Sequence, residues 1–261
     1  MSNRQYDAVL FDLGNTLIYF DCDDESVFAR MDAAMVDSLQ ASGLKLDHGT
    51  FLKQYRERLE RYEAERDSEL IEHSTTFIIR SLLTEAGLVQ PAQSVIKTAM
   101  RARYAVSQAY WKLEEDTYPV LEALRAQGYR LGIVSNASDD DDVQTLIDNA
   151  RLRAYFDVIV TSAAQGIRKP NPRIFLDVLA RLGVAPERAA MVGDTLGADI
   201  LGAQNAGLLA IWITRRANKA ANRDHLDTIQ PDEAITALSE LPAILIRFPK
   251  QNNRNPDNDP A

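Results

Sequence analysis

The sequence predicts an α/β fold, a doubly wound parallel sheet with an α-helical domain inserted after its first strand. Two observations carry that expectation. Short apolar runs alternate with segments of helix length, the pattern of βαβ units whose sheet is covered on both faces. The first run is separated from the second by roughly 120 residues, far more than the dozen or so that one crossover needs, and much of that interval carries apolar residues at helical spacing.

Taken in order, Ala8-Val9-Leu10-Phe11 reads as the first strand, because it is short, continuous and apolar, and it ends on Asp12. The long interval follows. Residues 26–41 set Val27, Phe28, Met31, Ala34, Met35 and Leu39 at helical spacing, and residues 50–66 alternate Arg and Glu around Phe51, Leu52, Tyr55, Leu59 and Tyr62. Residues 74–86 and 93–112 supply two more helices. Beyond them, strands are expected at Arg130–Ser135, 156–161, 189–194 and 208–214, with helices at 119–127, Asp140–Asn149, Pro172–Leu182 and 198–206. The predicted organisation is a core of residues 1–19 and 113–248, a helical cap of residues 20–112, and a disordered tail of residues 249–261, where Pro, Asn, Asp and Lys leave almost nothing apolar to bury.

Composition narrows the function. With 38 Asp and Glu against 29 Lys and Arg, the net charge is −9, which opposes nucleic-acid binding while leaving room for a small anion held by a local positive cluster. One cysteine, Cys22, forms no intramolecular disulfide, and no apolar stretch reaches the roughly 20 residues that span a bilayer. The expected setting is the cytoplasm, away from membranes, and the expected assembly is a monomer or homodimer.

Ligands of open α/β sheets bind outside the carboxyl ends of the strands. The residues closing the predicted strands therefore fall at one edge: Asp12, Ser135 and Asp194, with Lys169 in the loop after the strand at 156–161. Each alone reads equally well as a cap or turn residue. Four segments bringing two carboxylates, a hydroxyl and an ammonium to one place form a chemical site.

The chain here resembles the haloacid dehalogenase superfamily, mostly Mg²⁺-dependent phosphatases, over residues 5–16 and 115–240. Asp12-Leu13-Gly14-Asn15-Thr16 is similar to its first motif, Ser135-Asn136 to its second, Lys169-Pro170 to its third, and Gly193-Asp194 through Asp199 to its fourth. The resemblance implies that Asp12 is a nucleophile forming an aspartyl-phosphate. It implies Mg²⁺ on Asp12, the Gly14 carbonyl and Asp194, with Asp199 as a ligand or organiser. Ser135, Lys169 and the backbone N–H groups near Leu13 and Asn136 would hold the phosphoryl oxygens, and Thr16 would fix the loop after Asp12. The implied substrate is a small phosphorylated metabolite.

In most phosphatases of this superfamily a second Asp, two residues after the nucleophile, protonates the leaving group. Here that residue is Gly14. Asp21 and Asp23 are the nearest candidates to replace it, although solvent-facing turns explain them better. A 2-haloacid dehalogenase acting on carbon is a second reading, since such enzymes also lack the second Asp, but they need no metal and the retained Asp194 and Asp199 favour phosphate. A third is a module that binds phosphate ligands without turnover. Asp139 to Asp142 read as acids opposing a helix dipole, and Asn136-Ala137-Ser138 as a chance glycosylation sequon. In the cap, His73 and Arg80 are candidates to face the cleft, and Arg56, Arg61 and Arg66 to bind an anionic substrate, each weighed against an ordinary solvated helix face. Trp111 and Tyr118 are expected to pack at the joint between cap and core.

Overall fold

The computed structural model describes residues 5–88 and 92–247. The predicted tail at 249–261 lies outside the described residues. Six parallel strands form the central sheet: β1 (Ala8–Phe11), β4 (Arg130–Ser135), β5 (Val158–Thr161), β6 (Ala189–Gly193), β7 (Leu209–Ile213) and β8 (Glu233–Ile235), in the order β5-β4-β1-β6-β7-β8. A separate antiparallel pair, β2 (Ile18–Phe20) and β3 (Trp111–Leu113), stands at the two ends of the helical insertion.

Alternation along β1 shows how the layers form. Val9 and Phe11 face one apolar cluster, shared with α5 (Thr117–Ala126), α6 (Asp140–Asn149) and α11 (Leu241–Arg247). Ala8 and Leu10 face the other, shared with α8 (Pro172–Leu182) and α9 (Leu201–Ala206). Because side chains alternate faces with a period of two, a strand buried on both sides is apolar throughout, as all four residues of β1 are. Two short helices, α7 (Ser162–Gln165) and α10 (Ala220–Arg223), complete the core.

The insertion contains α1 (Val27–Ala41), α2 (His48–Glu69), α3 (Thr75–Glu85) and α4 (Gln93–Gln108). They pack around their own cluster, in which Met35, Leu39, Tyr55, Ile79, Leu83 and Ile96 are almost wholly buried. The boundaries follow local chemistry. Asp47 accepts from the Thr50 N–H and Ser74 from the Phe77 N–H, capping α2 and α3.

Several elements differ from expectation. The helix predicted over 93–112 stops at Gln108, because Trp111–Leu113 pairs with Ile18–Phe20 instead. The helix predicted over 198–206 begins as a π turn, Leu196–Ile200, before α9. Strand β8 and helix α11 escaped prediction, β8 being three residues long with a Glu at its start.

Candidate active site

Parallel register decides where the chemistry falls. Phe11 pairs with Ile133 of β4 on one side and Val192 of β6 on the other, so the chain beyond β1 emerges between two strand ends. Asp12 remains tied there through its N–H to the Val192 carbonyl (2.9 Å). Ser135 ends β4, Asp194 follows β6, and Lys169 comes from the loop after β5.

Lys169 organises the centre. Its Nζ donates to Asp12 Oδ1, Asp199 Oδ1 and the Val134 carbonyl, each at 2.7 Å, and the side chain is 2% exposed. Burial alone would drive this ammonium towards its neutral form, but Asp12 and Asp199 outweigh that and hold its pKa above the ordinary value. Asn136 aligns the loop: its side-chain carbonyl accepts from the Lys169 N–H (2.8 Å) while its amide donates to the Lys169 carbonyl (3.0 Å).

Carboxylate oxygens of Asp12, Asp194 and Asp199 lie within 4.8 Å of one another, and all three residues are buried. Burial, reinforced by the neighbouring Asp199 and Asp194 charges, pushes Asp12 up to about 7 against the pull of Lys169. Burial and Asp199 raise Asp194 likewise. Asp199 also accepts from the Thr195 N–H (2.9 Å). A Cβ at position 193 would stand 2.3 Å from the Asp199 carboxyl carbon, so only Gly193 lets Asp199 reach the site.

A cavity of about 590 Å³ opens over this cluster between sheet edge and insertion. Asp12, Leu13, Gly14, Ser135, Asn136, Lys169, Asp194 and Asp199 all line it, so all but one of the residues predicted for the site meet there. Thr16 is the exception. It is fully buried beneath the loop, with its N–H on the Leu13 carbonyl (3.4 Å) and its hydroxyl without a hydrogen-bond partner among the described residues.

The cap candidates do not converge in this way. None of His73, Arg80, Arg56, Arg61 and Arg66 lines the cavity. Arg56 pairs with Asp32 (3.1 Å), Arg66 with Glu63 (3.6 Å), and His73 stacks on Phe77. Arg103 of α4 and Arg168 of the Lys169 loop are the arginines that line it. Asp21 and Asp23 are exposed outside the lining, and Asp21 pairs with Lys112 (2.8 Å). Asp139 caps α6, accepting from the Asp142 N–H, in line with the dipole reading. Trp111 packs on Phe20 and lines the cavity, while Tyr118 donates to the Ala150 carbonyl (2.7 Å).

Sequence reasoning missed Lys219, whose Nζ donates to Asp194 Oδ2 and Thr195 Oγ1, both at 2.6 Å. The strand-edge rule that found Lys169 would have found it, since Lys219 follows the carboxyl end of β7.

Residues 6–207 match the haloacid dehalogenase-like hydrolase family. Over 240 residues the chain is 33% identical to a glyceraldehyde 3-phosphate phosphatase of Methanothermobacter thermautotrophicus, covering 91% of this chain and 99% of that one. Among solved structures it is similar to a 2-haloacid dehalogenase from Pseudomonas syringae, with a TM-score of 0.67, 29% identity and coverage of 93% and 99% of the two chains. It is also similar to an HAD phosphatase from Thermococcus onnurineus, with a TM-score of 0.58, 29% identity and coverage of 92% and 97%.

Proposed function

Because the chain belongs to the haloacid dehalogenase-like hydrolase family, we propose that it removes phosphate from a small phosphorylated metabolite, with Asp12 as the nucleophile. The observation that carries this reading is the buried Asp12 carboxylate, held by Lys169 beside Asp194 and Asp199 at the floor of the cavity. The phosphatase named among the relatives supports the same class of substrate. The four-helix insertion is read as the cap over this site.

Mg²⁺ suits the donor set. Three carboxylates supply hard oxygens in one cluster, and two ammonium groups, Lys169 and Lys219, balance only two of the three charges. Asp12, Asp194, Asp199 and the Gly14 carbonyl are the groups that would hold it. The ion, when bound, offsets the repulsion between the carboxylates and a phosphate dianion.

An Asp12 carboxylate oxygen attacks phosphorus, the bond from phosphorus to the ester oxygen breaks, and the departing oxygen takes a proton from water. The resulting aspartyl-phosphate is then hydrolysed: a water oxygen bonds to phosphorus, the bond to Asp12 breaks, and the carboxylate returns with release of phosphate. Ser135 and the N–H groups near Leu13 and Asn136 hold the phosphoryl oxygens. The Lys169 ammonium, whose three donors are on Asp12, Asp199 and the Val134 carbonyl, stabilises the charge building on them through its field or by exchanging one of those bonds. Lys169 also positions Asp12 against Asp199, and Thr16 supports the loop between them and the cap.

The dehalogenase named among the structural neighbours favours a second reading, attack by Asp12 on carbon. The cluster of three carboxylates argues for phosphate, since attack on carbon has no use for a divalent cation there. A screen of sugar phosphates and nucleoside monophosphates with Mg²⁺, comparing wild type with Asp12→Asn, tests the proposal: turnover abolished by the substitution supports it, and turnover that survives it sinks the mechanism. Halide release from 2-haloacids in the presence of EDTA would transfer the assignment to carbon.

A further inference from the structure

The cap wall of the cavity contains a cluster in which two arginines share one buried carboxylate. Asp32 of α1 is a buried carboxylate that accepts from two arginines: Arg56 of α2 on Oδ2 (3.1 Å), and Arg103 of α4 on Oδ1 through Nε (3.3 Å) and Nη2 (3.2 Å). Asp142 of α6, which lines the cavity with Glu63 and Asp139, also feels the Arg103 charge. The settings of the two arginines differ. The Arg56 side chain is 51% exposed, where water screens its charge, whereas that of Arg103 is 11% exposed. Arg103 lines the cavity, and neither Asp32 nor Arg56 does.

Arg103 is also held rigidly. Its guanidinium lies 5.1 Å from the centre of the Tyr104 ring and 5.9 Å from that of Tyr55, both residues of the same cavity wall. Two of its nitrogens share a single oxygen of Asp32, and Nη1 enters neither bond. A guanidinium fixed in this way loses little entropy when it binds an anion, and its planar donors suit carboxylate and phosphate alike.

We propose that Arg103 binds a second anionic group of the substrate, so that the site takes phosphate esters whose far end carries a carboxylate or another phosphate. This rests on the phosphatase reading, with the reacting phosphate on the sheet side of the cavity and the second anion on the cap side. A cavity of about 590 Å³ falls within the common range of small-molecule sites and accommodates such a metabolite. Asp32 acts through Arg103 and is a positioning residue.

Binding to the Asp12→Asn protein with Mg²⁺, measured by calorimetry, separates this inference from catalysis. The probes are 3-phosphoglycerate and glycerol 3-phosphate, which share a carbon skeleton and differ in carrying a carboxylate or a hydroxymethyl group. The expected result is about tenfold tighter binding of 3-phosphoglycerate, one charge-assisted contact's worth, and loss of that preference when Arg103→Gln is added. Arg103→Lys, which keeps a cation beside Asp32 and guards against a folding defect, should retain only part of it. Equal affinity for the two probes before Arg103 is changed, or a preference that survives both substitutions, overturns the proposal. Failure of the phosphatase reading would appear elsewhere, as wild-type protein that turns over no phosphate ester.

Discussion

The sheet edge and the cap wall face each other across one cavity, yet they obey different rules. At the edge, Asp12, Ser135 and Asp194 sit where they do because β1, β4 and β6 run parallel in fixed register, so a residue that closes a strand is delivered to the common rim. On the cap, position along a helix says little until packing selects the buried face. Arg61 and Arg103 are both cap arginines, but α2 leaves Arg61 exposed while α4 presents Arg103 to the cavity. Topology assigns function at a sheet edge, whereas on a helix tertiary contact does.

The largest effect is expected at the edge. Asp12→Asn removes the proposed nucleophile and should lower kcat by at least about 10³-fold on any phosphate ester. The same change should stabilise the metal-free protein. Burial raises the folded-state pKa of Asp12 from 3.8 to about 7, so between those values the metal-free fold disfavours the carboxylate relative to the unfolded chain. A carboxyl shifted upward makes its favourable contribution at low pH and loses it as pH rises through the folded pKa. The melting temperature of Asp12→Asn should therefore exceed that of wild type by a margin that grows from about pH 4 to about pH 7 and levels off above it, and saturating Mg²⁺ should shrink it. A margin that narrows with rising pH would show that Lys169 dominates the environment of Asp12.

A second test concerns the joint between the two regions. The backbone of residues 70–72 bridges to that of 166–168, just before Lys169, through Arg168 N–H to the Leu70 carbonyl and Glu72 N–H to the Gly166 carbonyl, both at 3.1 Å. Glu72 is buried and accepts from Tyr62 (2.7 Å) and from Ser162 (2.8 Å), with Arg168 at 3.4 Å. Ser162 in turn bonds the backbone of Ala137, next to Asn136. Glu72→Ala takes a carboxylate from this buried network and should cost about 3–5 kcal/mol in urea unfolding. Breaking the pair of Arg58 with the exposed Glu85 on the outer cap should cost about 0–1 kcal/mol. Similar losses at the two places would mean that the joint adds nothing to an ordinary surface pair.

Gly14 tests what the edge lacks. A Cβ there would approach Trp111 at 3.5 and 3.7 Å, ordinary contact distances, so an added side chain can be accommodated. Gly14→Asp should raise kcat on alkyl phosphates, whose leaving oxygen needs a proton, by about 10–10²-fold, the lower part of the range for general acid catalysis. It should leave p-nitrophenyl phosphate nearly unchanged, because that leaving group departs without help. An equal gain on both esters would point to an effect on phosphate binding.

Legibility from sequence divides along the same line. The five longer strands were readable because residues buried on both faces are apolar without interruption, as in Ala8–Phe11 and Ala189–Gly193. Strands β2, β3 and β8 were not, since three residues carry no period and the pairing of Ile18 with Leu113 joins positions distant in sequence. The strand-end acids and Lys169 were found by rule, whereas Lys219 fell under the same rule and was overlooked. Arg103 had no signal at all. Its partner Asp32 lies on a helix whose register against α4 emerges only on packing.

The smallest predicted effect sharpens the contrast within the cap itself. Arg61 is exposed and lies beside Arg58, Leu82 and Glu85 on the outer surface, away from the lining of the cavity over Asp12. Arg61→Ala should change stability by less than about 0.5 kcal/mol and leave KM for every phosphate ester within error of wild type. Since its charge is exposed to solvent, screening over a Debye length of about 8 Å at physiological salt leaves it little influence on a bound anion. A severalfold rise in KM for Arg61→Ala would mean that substrate meets this outer surface before reaching Asp12, and that the functional wall of the cap extends beyond the face that α4 presents.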